Sequence, residues 1–346
     1  ISSDGKFVVF HSFATNLVPG DNNNHSDIFI YNVFNNHISK ITNSYDNLSS
    51  NEGSFYPAIN STGSKIFFES DASNLILNNV VGLGSNRQIY QFDHNVSTGS
   101  GVISQITNGN GDSFDCSVDG NGTRLVFTSH ASNIVAGDDN NNSDVFLWDS
   151  NAFYLAGISE SGTLPYGGAT NEPVISLDGG SIAFQSSAPN MVSGRGISYI
   201  EIIDAGLGYE DNGTVLISDA KGTGALVSYT TNQYGEVENF TIDAFGLGYD
   251  SNATLSIVPD PSSPNPLRPV VAIPRLVNPL GDVFKTNVNS VIFGISGSTR
   301  ISESQKLNGS AESETGGDER SREPSISADG SKIAYSTKAS NLLDLN

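Results

Sequence analysis

The sequence is poor in basic residues, in cysteine and in long apolar stretches. It has 16 Lys and Arg against 37 Asp and Glu, which gives a formal net charge of −21. A chain this acidic repels nucleic acid and anionic lipid surfaces. Its one cysteine, Cys116, excludes an internal disulfide, and we expect it to be a small buried side chain. No apolar run reaches the roughly 18 residues that a membrane-spanning helix needs. We therefore expect neither nucleic-acid binding nor membrane insertion.

Catalytic signatures are missing as well. The five histidines do not follow a zinc-binding helix pattern, and no Gly-x-Ser-x-Gly nucleophile elbow is present. No carboxylate pair stands out among the 37 acidic residues as a candidate for glycoside cleavage. We therefore predict no catalytic residue and no bound organic cofactor, which favours a chain that is not itself an enzyme.

What the sequence does contain is one sequence motif that occurs five times. Each copy has a turn glycine, a short apolar strand that ends in an aromatic residue, and then Ala-x-Asn-apolar, with the asparagine six residues after the aromatic. The turn glycines are Gly5, Gly63, Gly122, Gly179 and Gly330, and the asparagines are Asn16, Asn74, Asn133, Asn190 and Asn341. The first four copies recur every 57 to 59 residues, and the last follows after 151. Such a period predicts stacked or radially arranged units.

Each unit has the pattern of four short antiparallel strands separated by turn residues. In the third unit, we place the fourth strand at 155–159. Because no stretch has a sustained helical period, we predict an all-β fold, a β-propeller of four-stranded blades with about five blades represented. The first and last units are incomplete, so we take the chain to be truncated. Either the parent ring carries further blades, or the two ends join in one composite blade.

The repeated motif resembles the TolB-like (WD40-like) β-propeller repeats, in which Asp-Gly precedes a strand that ends in Phe. The first copy has Asp4-Gly5, a strand ending at Phe10, and then Asn16-Leu17. The resemblance is to the long-repeat form of exported bacterial proteins, and it covers about three quarters of the chain. The turn Asp is replaced by Thr62 in the second copy and by Asn121 in the third. The resemblance implies an extracellular or periplasmic protein, and propellers of this type serve as docking platforms, peptidase gates or parts of glycan-active enzymes.

An insertion accounts for the long gap between the last two copies. It lies between the second and third strands of the fourth unit and adds about 81 residues. Residues 202–209 return in similar form as 241–249, and this resembles the Gly-x-Gly-Tyr repeats of bacterial and phage surface proteins. The resemblance implies a small β-domain that projects from one propeller face. The Pro-rich composition of 259–279 predicts a stiff return linker. We divide the chain into 1–193 (first propeller part), 194–280 (inserted domain with linker) and 281–346 (last propeller part).

The loop between the second and third strands is the best candidate for a binding site. In the first and third units this loop has oxygen-bearing side chains at alternate positions. Ca²⁺ takes six to eight oxygen ligands, and a tight Asp/Asn turn can direct several of them to one point. We predict calcium ligands at Asp138, Asn140, Asn142 and Asp144, and a poorer set, next to His25, at Asp21, Asn23 and Asp27. The alternative is that these residues only satisfy the backbone of the turn.

Residues that recur once in every unit are expected to be structural. The repeated asparagines, and the serines Ser12, Ser70, Ser129 and Ser186 two residues after the aromatic, should bond to nearby backbone. Two classes of function remain. The favoured one is a non-catalytic extracellular or periplasmic module that presents its loops and inserted domain to a protein or glycan partner. The alternative is the propeller of a glycan lyase or hydrolase, or a peptidase gate, which a cluster of His, Arg and carboxylates at the central channel would support.

Overall fold

The chain folds almost entirely into β-strands. The computed structural model describes residues 1–77, 86–150, 152–159, 165, 168–188, 191, 197–210, 213–220, 222–247, 249, 252–259, 266–276, 282–293, 298–301, 303–305, 311–316 and 321–337. These residues form 25 strands and one short helix. The predicted all-β class is therefore confirmed.

The strands follow the predicted repeat. The first blade has β1 (Phe7–Ser12), β2 (Asp27–Asn32) and β3 (His37–Lys40). The second has β4 (Ser54–Ile59), β5 (Lys65–Ser70), β6 (Gln88–His94) and β7 (Gly101–Gln105). The third has β8 (Ser113–Val118), β9 (Arg124–Ser129), β10 (Asp144–Asp149) and β11 (Ala152–Leu155), and the fourth begins with β12 (Thr170–Ile175) and β13 (Ser181–Ser186).

The remaining strands belong to the insertion and to the last blades. The insertion has β14 (Ile197–Asp204), β15 (Thr214–Ser218), β16 (Thr223–Thr231), β17 (Val237–Leu247), β18 (Thr254–Val258) and β19 (Val271–Leu276). The fourth blade resumes with β20 (Asp282–Asn287), α1 (Val288–Phe293) and β21 (Thr299–Arg300). A hairpin of β22 (Glu303–Gln305) and β23 (Ala311–Gly316) precedes the fifth blade, with β24 (Ser321–Ile326) and β25 (Ile333–Thr337).

Each blade is an antiparallel sheet. The second and third blades have the orders β4-β5-β6-β7 and β8-β9-β10-β11. The fourth has the order β12-β13-β20-β21, so the insertion interrupts the chain but not the sheet. In the described residues the first blade has three strands and the fifth has two. This confirms the β-propeller of four-stranded blades.

The hydrophobic cores lie between neighbouring blades. On β5, Ile66 and Phe68 pack against the first blade, whereas Phe67 packs against the third. All three side chains are buried, because successive residues of a strand point to opposite faces of the sheet and each face meets another blade. This explains why the second strand of each repeat is an unbroken apolar run.

The first strands of neighbouring blades contact one another. β4, β8, β12 and β24 contact one another in turn along this series. Each contains a β-bulge, and the bulge carries one residue with positive φ. These residues are Tyr56 (φ 48°), Asp115 (φ 53°), Glu172 (φ 53°) and Glu323 (φ 54°). Bulges of this kind redirect a side chain, and here they recur at the equivalent position of each of these four strands.

One face of the propeller carries the long loops, and we call it the loop face. In each of the first four blades, the end of the second strand pairs with the start of the third, as in Ser12 with Asp27 and Ser129 with Asp144. The predicted Asp/Asn loops of the first and third blades therefore leave the propeller on this face. The insertion leaves from the equivalent place in the fourth blade, between Ser186 and Asp282.

The insertion is built from two interlocked halves. β14 pairs with β19, β15 with β18, and β16 with β17, so each strand of the first half pairs with one of the second. The hydroxyl of Tyr209 accepts the Val270 N–H at 3.0 Å, and that of Tyr249 accepts the Ala225 N–H at 3.2 Å. Both tyrosines are buried, one in each of two small cores. Part of the stretch predicted as a linker forms β19, because its backbone pairs with β14.

Candidate functional site

The first Asp/Asn loop brings two buried carboxylates together. Gly20 (φ 86°) and Asn24 (φ 59°) provide the left-handed turns. The side-chain oxygen of Asn23 accepts the His25 N–H at 3.1 Å, and its amide donates to Asp27 Oδ2 at 3.1 Å. The loop thus closes on Asp27, which is fully buried, with Asp21 also buried beside it.

A lysine lies between these carboxylates. Lys40 Nζ is 3.4 Å from Asp21 Oδ1 and 3.5 Å from Asp27 Oδ2, and its side chain is only 5% exposed. The hydroxyls of Thr42 and Ser50 donate to Asp27 Oδ1 at 2.6 and 3.1 Å. A buried ion pair needs such additional hydrogen bonds to offset the loss of hydration. The first loop therefore carries an internal cation.

The third-blade loop has the same backbone but no lysine. Gly137 (φ 89°) and Asn141 (φ 56°) take the places of the turn residues of the first loop. Asn140 donates to Asp144 Oδ2 at 2.7 Å, as Asn23 donates to Asp27. Thr170 donates to Asp144 Oδ1 at 3.3 Å. Within the described part of the chain, no basic side chain forms an ion pair with Asp138 or Asp144.

Burial disfavours the charged form of these acids. It raises the pKa of Asp144 to about 7, and the negative charge of Asp138 adds to the rise. Burial also raises the pKa of Asp138, with a further contribution from Asp139. For Asp21, burial raises the pKa, although the Lys40 ammonium opposes the shift.

The asparagines serve the turn itself. The side-chain oxygen of Asn140 accepts the Asn142 N–H at 2.8 Å, and the Asn142 amide donates to the Asn140 carbonyl at 3.1 Å. Of the predicted ligands, the structure thus brings Asp138 to Asp144 and Asp21 to Asp27, with the asparagines holding the loops. In the described ranges no group of three or more His, Cys, Asp or Glu side chains converges. The calcium site stays a prediction.

A second cluster, which the sequence did not indicate, lies beside the β8 bulge. Glu69 is 1% exposed, and its Oε1 accepts the N–H of the bulge residue Asp115 at 2.7 Å. Its Oε2 is 3.3 Å from Arg87, whose guanidinium also holds both carboxylate oxygens of Asp71 at 3.1 Å. Burial raises the pKa of Glu69 to about 7. Glu69 therefore joins the second blade to the third through a backbone N–H.

The same contact recurs with other residues at other blade junctions. His11 Nδ1 accepts the N–H of Tyr56 at 3.3 Å, which joins the first blade to the second. Glu172 Oε2 accepts the N–H of Glu323 at 2.7 Å, which joins the fourth to the fifth. The bulge N–H points out of its own sheet and meets an acceptor from the preceding blade. In the described residues these His and Glu side chains thus serve as separate hydrogen-bonded links between neighbouring blades.

The loop face also carries exposed aromatic side chains, which we call the aromatic patch. His11 contacts Tyr56 and Phe55 with ring centroids 5.2 and 6.0 Å apart, and Phe13 lies 6.3 Å from Phe55. Phe13 and Tyr56 are 65% and 60% exposed. The Arg87 guanidinium lies 4.7 Å above the Phe55 ring.

Beside this patch is an acidic depression. Its volume is about 410 Å³, and it is lined by Glu52, Asp71, Arg87, Asp112 and Phe114. Phe114 occupies the same repeat position as Phe55 and contacts His130 with a centroid distance of 5.1 Å. The depression thus lies between the second and third blades, with an aromatic side chain from the third.

No helix in the described part of the chain is long and apolar enough to cross a membrane. No protein-family model matches the chain, and no curated protein matches it.

Solved structures with a similar fold include two TolB proteins and a lyase. TolB from Acinetobacter baumannii is 15% identical, with 70% of this chain and 55% of that chain covered and a TM-score of 0.32. A putative TolB from Agrobacterium tumefaciens is 13% identical, with coverages of 75% and 73% and a TM-score of 0.35. An oligogalacturonate lyase in complex with manganese is 10% identical, with coverages of 96% and 83% and a TM-score of 0.32. The chain spans about half the length of the first of these proteins, and the likeness to all three is in fold alone.

Proposed function

We propose that this propeller is a non-catalytic binding module, extracellular or periplasmic, whose loop face takes a protein or glycan partner. The aromatic patch beside the acidic depression is the observation that carries the proposal. Phe13 and Tyr56 expose most of their surface, and adjoining exposed apolar groups rimmed by polar ones are typical of interaction sites. We propose that the patch and the depression together form the contact surface.

The composition of this surface favours a protein partner with basic side chains. Tyr, Phe and Arg are enriched at the centres of protein interfaces, and Tyr56, Phe55 and Arg87 lie together here. Glu52 and Asp112 add negative charge at the rim of the depression. An acidic rim attracts a basic partner and raises its association rate.

The contacts of Glu69 support a structural role over a catalytic one. Glu69 is buried, and it accepts hydrogen bonds from Asp115 N–H and Arg87. A general acid or base must reach a substrate proton at hydrogen-bond distance, whereas Glu69 is only 1% exposed and both of its carboxylate oxygens accept hydrogen bonds within the protein. This favours binding over the alternative of a glycan lyase or hydrolase, or a peptidase gate.

The test is binding of the purified chain to an array of Lys- and Arg-containing peptides and to an array of glycans. We expect binding on the peptide array that Tyr56→Ala and Phe13→Ala weaken at least tenfold, and that falls with added salt. Phe34→Ala is the matched control, since Phe34 is 90% exposed in the β2–β3 turn on the opposite face. Binding on the glycan array alone would assign the glycan partner. Binding to neither array, or binding that Phe34→Ala weakens equally, would contradict the proposal.

A further inference from the structure

We propose that the third-blade loop binds one metal cation, with Ca²⁺ as the best fit, through Asp138 and Asp144. The cation would occupy the place that the Lys40 ammonium occupies in the first blade. This inference concerns a site separate from the aromatic patch, and it does not depend on the proposed partner.

The first blade shows what these two carboxylates do. Asp21 and Asp27 stand at the same loop positions as Asp138 and Asp144, and they hold the Lys40 ammonium between Oδ1 of one and Oδ2 of the other. The equivalent acids of this chain thus already bind a cation, in a blade where the chain itself supplies it.

The strand register shows why the third blade lacks that cation. Lys40 pairs with Phe29 across the third and fourth strands, and Leu155 pairs with the equivalent Phe146. A leucine therefore stands where the first blade has its lysine. Leu155 contributes to the apolar core between the second and third blades, so it brings no charge to the loop.

By strand register, the other blades have either an acid and a base or two amides at these two positions. One position is the first residue of the third strand, and the other is the position that Lys40 has on the fourth strand. The pairs are Asp27 with Lys40 in the first blade, Gln88 with Gln105 in the second, and Asp282 with Arg300 in the fourth. The third blade has Asp144 with Leu155. Among the four blades whose third and fourth strands the structure describes, it alone places an acid there with no base or matching amide.

The chemistry of the site suits a divalent cation. Asp144 is fully buried and Asp138 is 7% exposed, and a cation between them would offset the cost of burying their negative charge. Two carboxylates balance the charge of Ca²⁺, which tolerates irregular oxygen geometry and takes further ligands from water, whereas Mg²⁺ demands a near-ideal octahedron. The exposed carboxylate of Asp139, next in the chain, adds negative potential at the entrance.

The test compares thermal unfolding and calcium calorimetry on the full chain. After chelation, we expect Ca²⁺ to raise the melting temperature by binding linkage and calorimetry to give one site per chain. Mg²⁺ and Na⁺ should give a smaller rise. Asp138→Asn should weaken the calcium affinity at least tenfold.

Leu155→Lys is the decisive variant, because it gives the third blade a lysine at the position that Lys40 has in the first blade. We expect it to remove the calcium response and to leave a chelated protein at least as stable as the chelated wild type. Val102→Lys is the control, since Val102 lies on the fourth strand of the second blade and is 70% exposed, and it should keep the response. Lys40→Met should raise the stoichiometry from one to two.

Two results would overturn the assignment. One is a wild-type protein whose melting temperature and calorimetric trace are the same with calcium and with chelator. The other is a calcium response that Leu155→Lys and Asp138→Asn leave intact. If Leu155→Lys fails to fold, the Asp138→Asn affinity and the Lys40→Met stoichiometry still decide between the outcomes.

Discussion

Side chains that recur once in every blade bind the backbone. Ser12, Ser70, Ser129 and Ser186 each accept the N–H of the alanine two residues later, at 3.0 to 3.1 Å. Asn74 and Asn133 accept the N–H groups of Asn51 and Asn110 at 3.0 and 2.8 Å. The prediction that these residues are structural is confirmed for these four serines and two asparagines. For Asn16, which the structure describes, no such bond is seen, and Asn190 and Asn341 lie outside the described residues. These residues recur in the sequence because each blade forms the same turn after its second strand.

The carboxylates that vary from blade to blade make contacts that are specific to one blade, unlike the repeated serines and asparagines. Glu69 stands at a repeat position that is His11 in the first blade and Thr128 in the third. No repeat pattern could indicate it, because its partner is a backbone N–H that the β8 bulge turns toward the neighbouring blade. The ion pair between Lys40 and Asp21 could not be predicted from the sequence for a similar reason, since it depends on strand register.

Glu69→Gln should reduce the pH dependence of stability. Burial raises the folded-state pKa of Glu69 from its usual 4.5 to about 7, so the folded protein holds this proton more tightly than the unfolded chain does. The resulting stabilisation is fully present below pH 4.5 and is lost as the pH rises through 7. The shift corresponds to roughly 3 kcal/mol at most. Glutamine keeps an acceptor for Asp115 N–H and cannot ionise.

The measurement is the free energy of urea unfolding at pH 5 and at pH 8. Wild type should lose more stability between the two than Glu69→Gln does. Asp93→Asn is the control, because the Asp93 side chain is 55% exposed, and it should behave as wild type. Equal losses in wild type and Glu69→Gln would show that Glu69 does not change its ionisation on folding.

At the scale of the strand and turn, the repeated glycine has a conformational reason. The five turn glycines have φ between 66° and 73°, a region that L-residues rarely adopt. They differ in their surroundings. A Cβ on Gly5 would meet nothing within 4 Å, whereas a Cβ on Gly63 would lie 2.5 Å from Phe7 Cδ2 of the preceding blade.

This difference gives a matched pair of substitutions. Gly5→Ala should cost about 1 kcal/mol, from the backbone conformation alone. Gly63→Ala should cost about 2–4 kcal/mol, because overpacking against Phe7 adds to the same backbone term. Urea unfolding of both variants checks the prediction. Equal losses would mean that the junction between the first two blades adjusts freely around the added methyl group.

The elements that the sequence predicted are those whose residues alternate or recur. The second strands and their turns follow from the apolar runs and glycines, and this was enough for the fold class. The fourth strand of the third blade was predicted at 155–159 but forms at Ala152–Leu155. Ser150, with φ 55°, reverses the chain at once, and serine is not a usual signal for a left-handed turn.

At the scale of the whole molecule, the insertion has its own cores. Its two apolar clusters contain only residues of the insertion, and the three blade cores of the described residues contain none of them. Because its two halves pair strand for strand, neither half has a complete sheet without the other. We therefore expect the insertion to unfold as one unit, separately from the propeller.

Tyr249→Phe tests this independence. It removes the hydroxyl that accepts the Ala225 N–H and should destabilise the insertion by about 1 kcal/mol. In calorimetry we expect two transitions, with only one of them lowered by Tyr249→Phe and only the other by Gly63→Ala. Hydrogen exchange followed by mass spectrometry assigns each transition to its residues. A single transition that both variants lower would show that the two parts unfold together.

The insertion begins and ends on neighbouring strands, since Ile197 at the start of β14 pairs with Leu276 at the end of β19. The two ends of the insertion are therefore adjacent. In the fourth blade they connect Ser186 to Asp282, which are paired residues at the ends of neighbouring strands, and the other blades join the equivalent residues by a simple loop. This makes the position a natural splice point for engineering. Any folded domain with adjacent termini, such as a reporter or a different recognition module, can be exchanged there and displayed on the loop face without rebuilding a blade.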